Sequence, residues 1–502
     1  MTNLTILIIV PLLTAIAVLF CKNTAQIKWT SFIGSLIQLG IATTMFFAYI
    51  AERASGNTAQ MLFQQRYSWY KALNIEYFIG VDGISMVMIM LTACVVVAGI
   101  LISWRVETLS KEFFFLLLLL SVGAYGFFIS LDLFTMFFFL EVAVIPKFLL
   151  IAIWGSGKKE YSAMKLALML MGGSVFVLIG LLATYFATDT GGGAHTWDLL
   201  QIAHAHISLQ TQMYIFPFLF VGFGVFTALF PFHTWVPDGH SSAPTAASMF
   251  LAGISMKLGG YGALRVAIYL MPEAAQQYSW VIVLLATIAI IYGSFATLMQ
   301  KDLKYMNAYS SVSHCGFILL GIGMLTKTAI IGAVMQMVSH GVMTALFFGA
   351  IGMIYERTHT RQLSELGGLL KVLPFIGTVY VITGLCSLGL PGLSGFVAEM
   401  TVFVGSWQRN DMFHRVATIL AAASIVVTAV YILRAAGKAV MGPIVNEHFE
   451  HLKDATWNEK FASVLLILAI LAIGIAPFWL YNLIAPDAQL IMENIARSVT
   501  GI

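Results

Sequence analysis

The sequence predicts an all-helical integral membrane protein that crosses the bilayer many times, and three observations carry that prediction. Of its 502 residues, 60% are hydrophobic and only 10% are charged, against about 25% charged in soluble domains, so the chain cannot clothe itself in polar surface. A spanning helix needs roughly 20 apolar residues, and windows of that kind recur about fourteen times. Two of these windows are interrupted by proline and glycine at membrane depth, where freed backbone is tolerated only if buried in protein or lining a wet cavity.

The windows lie near 2–20, 29–50, 77–103, 113–131, 133–154, 162–186, 213–234, 244–271, 278–299, 303–324, 328–355, 373–407, 414–438 and 460–485. The first has no basic segment and no small-residue cleavage site, so it is expected to stay as a span and not to be removed as a signal peptide. The seventh is interrupted by Pro231 and Pro237. The twelfth is too long for one straight helix and is interrupted at Gly389–Leu390–Pro391–Gly392. The two breaks are about five helices apart, an odd interval that gives the two halves opposite topology; paired interrupted segments of this kind point to an inverted-repeat transporter. The expected organisation is three spans in 1–112, a first repeat in 113–271, a second, inverted one in 278–440, and a loop with the last span in 441–502. The residue identities themselves show no obvious repeat.

Short loops rich in Lys and Arg face the cytoplasm. With the N-terminus outside, Lys22, Lys28, Arg105, Lys111, Lys158, Lys159, Lys301, Lys304, Arg357, Arg361, Lys371, Arg434, Lys438, Lys453 and Lys460 fall on the cytoplasmic side. Arg53, Arg66, Lys71, Lys327, Arg409 and Arg415 remain outside. Both termini are therefore expected on the periplasmic side of a bacterial inner membrane. The net charge of +3, with no basic cluster, gives no reason to expect a nucleic-acid partner. Cys21, Cys94, Cys315 and Cys386 are far apart, and no CxxC, Cys/His ligand spacing or Gly-rich phosphate loop occurs, so no redox cofactor, nucleotide or metal is expected in this chain.

Charged residues inside apolar windows are costly, about 2.5–3.5 kcal/mol each on insertion scales, and usually mark an ion route. Glu141 lies roughly 20 Å from the edge marked by Trp154 and Lys158, too deep to reach headgroups. Lys147 follows Pro146 in the same window, roughly 10 Å from that edge. It either snorkels outward or carries charge inside, and its rotation of roughly 120° from Glu141 disfavours a direct pair unless Pro146 bends the helix. Lys257 is surrounded by small residues that let helices approach closely; it either donates to carbonyls of the broken seventh helix or exchanges protons. Glu399, just past the Pro391 break, either caps the second half-helix or stands on an ion route. His233 and His240 flank the seventh-window break, while His314 and His340 lie in the tenth and eleventh windows. An imidazole both gives and takes protons near neutrality. Four of them beside buried Lys and Glu favour a hydrated relay over isolated core histidines.

The stretch Phe230–Pro231–Phe232–His233–Thr234–Trp235–Val236–Pro237–Asp238–Gly239–His240–Ser241–Ser242–Ala243–Pro244–Thr245 closely resembles the proton-conducting membrane subunits of respiratory complex I and their relatives in multisubunit cation/proton antiporters. Tyr309–Phe317 and Ser339–His340–Gly341 resemble further signatures of that family, and the likeness runs from about residue 80 to 440. Within it, the loop Tyr355–Arg361 and a glutamate at 399, where sister subunits usually have lysine, resemble the subunit M branch (subunit 4 in mitochondria). The resemblance implies an antiporter-like fold of fourteen helices with two inverted five-helix repeats. It also implies Glu141 as the fifth-helix carboxylate, Lys257 as the central lysine and Glu399 as the exit carboxylate. One position departs from the pattern: the lysine usual seven residues before His233 is Phe226 here, and Lys147 is the candidate to supply the missing charge.

The expected function is proton pumping from cytoplasm to periplasm, coupled to NADH-dependent quinone reduction in other membrane-arm and peripheral-arm subunits. Those partners are where FMN, iron–sulfur clusters and quinone are expected. In the expected mechanism a proton is held near Lys257 while Glu141 stabilises its cationic partner, then passes by His340 or water to Glu399. The alternative is a subunit of a multisubunit cation/proton antiporter, against which Glu399 and the 356–361 loop speak. A purely structural scaffold is supported only by Phe226, and nothing resembles an organic-substrate pocket.

Overall fold

A computed structural model describes residues 3–188 and 195–500 of the chain. Polar N-caps sit where the chain turns back into the apolar layer. Side chains of Asn23, Asp82, Asp132, Asp302, Thr326 and Asp411 each accept from a backbone N–H of the turn they start, satisfying donors a helix start leaves open.

The chain opens with α1 (Ile6–Phe20) and α2 (Thr24–Ala54). It then forms a two-stranded antiparallel hairpin, β1 (Leu62–Tyr70) and β2 (Ile75–Val81), pairing Leu62 with Val81 and Arg66 with Phe78. Next come α3 (Gly83–Ile102), α4 (Ser110–Ile129), α5 (Leu133–Trp154), α6 (Lys159–Ala187), the short α7 (Leu199–Ile202) and α8 (Leu209–Phe226). A break separates α8 from the short α9 (Trp235–Ser242). The following rod consists of α10 (Thr245–Phe250), a π-helical turn Leu251–Ser255, α11 (Met256–Gly262) and a second π-helical turn Ala263–Ile268. Then follow α12 (Pro272–Met299), α13 (Leu303–Gly323), α14 (Lys327–Thr358), α15 (Leu369–Val372), α16 (Pro374–Ser387), α17 (Ser394–Trp407), α18 (Met412–Ala435), α19 (Trp457–Ile475) and α20 (Phe478–Thr500).

Among the described residues ten helices are long and apolar enough to cross a membrane, and α1 and α16 are shorter apolar helices. The predicted windows and these helices part where polar residues are buried. The rod from 245 to 268 is divided by its π-turns, and α13 buries Lys304, Asn307, Ser310, Ser311, Ser313 and His314, which dilutes its hydropathy. Large apolar side chains such as Phe20, Phe47, Leu168, Phe186, Val426 and Leu468 are exposed on the outer helices, a surface suited to lipid. In contrast, the most apolar stretch of α14 is wholly buried, so α14 is the central post of the molecule.

Both predicted breaks are present. Between α16 and α17, Gly389 and Gly392 adopt φ of +79° and +93°, a region glycine enters without steric cost. Between α8 and α9, the indole of Trp235 donates to the carbonyl of Val225 at 2.9 Å, satisfying one group freed by the break.

The C-terminal reading needs correction. The last window, 460–485, is two elements: α19 stops before Pro477, which cannot continue a helix interior, and α20 lies across one rim. Leu480, Ile484, Asp487, Ile491 and Ile495 form its buried face. It is fastened by Ile84 N donating to Asp487 at 3.1 Å and Asn494 donating to the Tyr269 carbonyl at 2.7 Å. The same rim holds the hairpin, which hydropathy windows do not detect. Most loop lysines and arginines gather at the opposite rim, where Asn458 donates to Leu101 O and Arg434 to Leu298 O.

Candidate functional site

Lys257 occupies α11 between the two π-turns and is fully buried. A π-turn leaves carbonyls without their usual i+4 donor, and the Lys257 ammonium donates to one of them, Ala252 O. Its second partner is His340 on α14, with Nζ 2.7 Å from Nδ1. When Lys257 carries its proton it can only donate, so Nδ1 then accepts and the imidazole proton is on Nε2, a buried atom without a partner among the described residues.

From His340 the row continues to His314 on α13, the ring centroids 5.2 Å apart. His314 Nε2 is 3.0 Å from Ser387 Oγ at the end of α16. Its Nδ1 is 3.3 Å from Glu399 Oε1 on α17 and 3.3 Å from Gln336 Nε2. The broken helix therefore grips His314 from both of its halves. Gly389 makes room for the carboxylate, since a Cβ there would lie 2.8 Å from Glu399 Oε2. The four side chains form one buried succession, Lys257–His340–His314–Glu399, contributed by four different helices.

The other predicted residues stand apart from this row. Glu141 is half-buried on α5, and its Oε1 is buried without a partner among the described residues. Lys147 does not snorkel: it is 1% exposed, its Nζ has no hydrogen-bond partner among the described residues, and it lies 5.7 Å from the centre of the Phe226 ring. No ion pair closes between Lys147 and Glu141, although Glu141 is the charge that bears on it. His233 packs between the rings of Phe230 and Tyr292, at 5.4 and 4.8 Å. His240 stacks on Phe348 at 5.1 Å, with both ring nitrogens buried and unpartnered among the described residues.

Two clusters escaped the sequence reading. Lys304, assigned above to a loop, is 4% exposed in the first turn of α13 and donates to Ala243 O at 2.6 Å. Around it, Lys165 pairs with Asp238 at 2.7 Å and Arg361 with Asp302 at 3.2 Å, clasping α9 to the basic rim. A position at a window's edge hides burial of this kind. The second cluster is the buried pair Arg265–Asp82, joined by Asp487. Arg265 and Asp82 both lie inside apolar windows, so the rule that singled out Lys257 applies equally to them.

A family model described as NADH:quinone oxidoreductase/Mrp antiporter, transmembrane, matches residues 130–425. The chain belongs to that family. The match takes in Glu141, Lys147, His233, His240, Lys257, His314, His340 and Glu399, all eight residues singled out from the sequence. The chain is 34% identical over 484 residues to a protein of Rickettsia prowazekii (strain Madrid E) named NADH-quinone oxidoreductase subunit M, covering 95% of this chain and 96% of that one. It is likewise 34% identical over 504 residues to NAD(P)H-quinone oxidoreductase chain 4 of Gloeobacter violaceus, covering 99% and 94%. In fold it is similar to a chain of respiratory complex I from Thermus thermophilus with bound NADH (TM-score 0.88, 24% identity, 98% and 99% covered). A chain of an Mrp complex from a Dietzia species is also similar (TM-score 0.84, 18% identity, 98% and 99% covered). The antiporter-like, all-helical membrane fold of the family is thus the fold of this chain.

Proposed function

We propose that this chain is the antiporter-like subunit M of an NADH–quinone oxidoreductase and moves protons from cytoplasm to periplasm, coupled to quinone reduction in partner subunits. The observation that carries this reading is the buried row Lys257–His340–His314–Glu399. Every link in it is a group that both takes up and releases a proton, and it runs from a central lysine to the second half of a broken helix. In this reading Lys257 holds the proton, Glu141 and Lys147 set the field around it from α5, and His340 and His314 hand the proton on to Glu399. His233 and His240, beside the α8–α9 break, serve the cytoplasmic half of the path. A potential of 100 mV opposes each outward charge by about 2.3 kcal/mol, so the coupling must come from charge changes in neighbouring subunits. Excess Lys and Arg at the rim opposite α20 supports placing that rim in the cytoplasm, with both termini periplasmic. The positions of the two breaks support a reading of the chain as two inverted repeats.

The test is purification of the tagged chain from its native membrane, followed by reconstitution in sealed vesicles. Co-purifying flavin and iron–sulfur subunits, with NADH-driven acidification that Lys257→Met abolishes, is the expected result. A preparation holding only small membrane subunits without flavin or iron, and exchanging sodium for protons, would establish the antiporter alternative instead.

A further inference from the structure

On the α20 rim, the last turns of α2, the loop 56–59, the start of α14 and the first half of α20 enclose a cleft of about 950 Å³. Its walls are largely apolar, with Phe46, Ile50, Trp479 and Leu483 prominent, yet Arg53 and Lys327 both line it. Cations are scarce on this rim, and two of them engage carboxylates: Arg66 pairs with Glu76 and Asp198, and Arg409 with Asp411. Arg53 instead gives its guanidinium to neutral acceptors, the Tyr49 hydroxyl and the carbonyls of Asn57, Ala59 and Gln60. Among the described residues neither Arg53 nor Lys327 has a carboxylate within ion-pair distance. Asp487 also borders the cleft, but its carboxylate turns inward, accepting from Ile84 N at 3.1 Å.

A second void, of about 150 Å³, shares Phe46 and Trp479 with this cleft and is lined by apolar side chains alone, among them Met90, Cys94, Val338 and Ala469. Met90 and Cys94 lie roughly 10 and 16 Å along α3 from its start at the rim, about half of the 30 Å hydrocarbon thickness. The two voids together thus have the anatomy of one lipid: cations at the rim, an aromatic collar, and a dry slot one leaflet deep. Tryptophan is the residue that sits most readily at such a headgroup boundary.

We propose that this compound cavity binds one anionic phospholipid, its phosphate at Arg53 and Lys327 and one acyl chain in the slot between α2, α3, α14 and α19. Two cations without an ion-pair partner among the described residues select a negative headgroup over a zwitterionic one. The apolar slot selects a lipid over free phosphate.

The test is native mass spectrometry of the full chain, purified with its accompanying subunits and equilibrated in phosphatidylcholine nanodiscs containing phosphatidylglycerol. The expected result is one retained phosphatidylglycerol per chain. Lys327→Gln should lose it, Lys327→Arg should keep it, and Lys71→Gln, which removes a cation of the same rim outside the cleft, should also keep it. Ala469→Phe, which fills the slot and leaves both cations in place, should lose it. Arg53 is left intact because it also holds the 57–60 loop. Equal retention of phosphatidylcholine, or phosphatidylglycerol retained by both Lys327→Gln and Ala469→Phe, would overturn the proposal. So would a side chain of a neighbouring subunit found cross-linked in the cleft from Leu490→Cys.

Discussion

The ammonium of Lys147 sits 5.7 Å from the centre of the Phe226 ring. The residue carrying the unexpected charge on α5 and the residue standing where the family pattern has lysine on α8 are therefore neighbours. A cation over an aromatic face gains about 0.5–2 kcal/mol, a small return for a buried charge without another partner. The position is better explained by the use of the charge than by its contribution to stability.

If Lys147 supplies the charge missing at 226, Lys147→Met lowers NADH-driven proton pumping several-fold in reconstituted vesicles. The double variant Lys147→Met/Phe226→Lys recovers most of it, because the charge returns to nearly the same place. Full pumping by Lys147→Met alone would rule out the exchange of roles.

Among the described residues His340 is the only side chain bonded to the Lys257 ammonium; its other acceptor is a backbone carbonyl. His340→Leu is expected to abolish pumping while leaving the complex assembled, measured as acidification against subunit content. Glu399→Gln should do the same. Glu399→Lys should retain part of the activity, since sister subunits resemble this arrangement with lysine. Undiminished acidification in His340→Leu would break the proposed row at its first link.

Removing one partner of a buried ion pair costs about 3–5 kcal/mol, because the other charge is left unpaired. Arg265→Gln strands Asp82 and should sharply lower the thermal stability of the purified chain. Asp487 should behave differently. Burial, with the nearby Asp82 carboxylate adding to it, pushes its carboxyl well above the ordinary range, so Asp487→Asn mimics a protonated group and should leave the melting temperature nearly unchanged at neutral pH. A large loss in Asp487→Asn would show that the ionised form is the one required.

Asp411, between α17 and α18, is held at about 2, below its ordinary 3.8: burial, the largest single effect, pushes it up, but the bonds to His414 together with the charges of His414 and Arg409 outweigh it. A carboxyl whose folded value is depressed stabilises the fold above its unfolded value and loses that contribution as pH falls through the folded one. The stability gap between the wild-type chain and Asp411→Ala should be largest above about pH 4 and close towards pH 2. Because the side chain is 47% exposed, solvent screening keeps the gap modest. Melting curves at pH 5 and pH 3 read the difference, and a gap that widens on acidification would reverse the sign.

Much of the fold was legible because a bilayer imposes a length and a polarity on each span, and both are local properties. The breaks at Pro231–Pro237 and Gly389–Gly392 were legible for the same reason, since proline and glycine act on their own backbone. What escaped was whatever folds back on a rim. The hairpin from Leu62 to Val81 alternates too weakly to register in an apolar window, and α20 hid behind the hydropathy of α19. Lys304 passed for a loop residue because it stands two residues past the N-cap Asp302, and only neighbouring segments decide whether such a side chain is covered.

By itself, the sequence determined the class of this protein, the approximate depth of Glu141, Lys147, Lys257 and Glu399, and the family it resembles. Which of those charges meet was decided only by tertiary structure. Helices apolar on every side have no face that announces itself as inward, so their rotation is set by packing against helices distant in the chain. Lys257 and His340 are 83 residues apart, and nothing local to either says that they touch. They meet because the apolar middle of α14 is enclosed and Lys257, just after a π-turn, stands in the rod that packs against it.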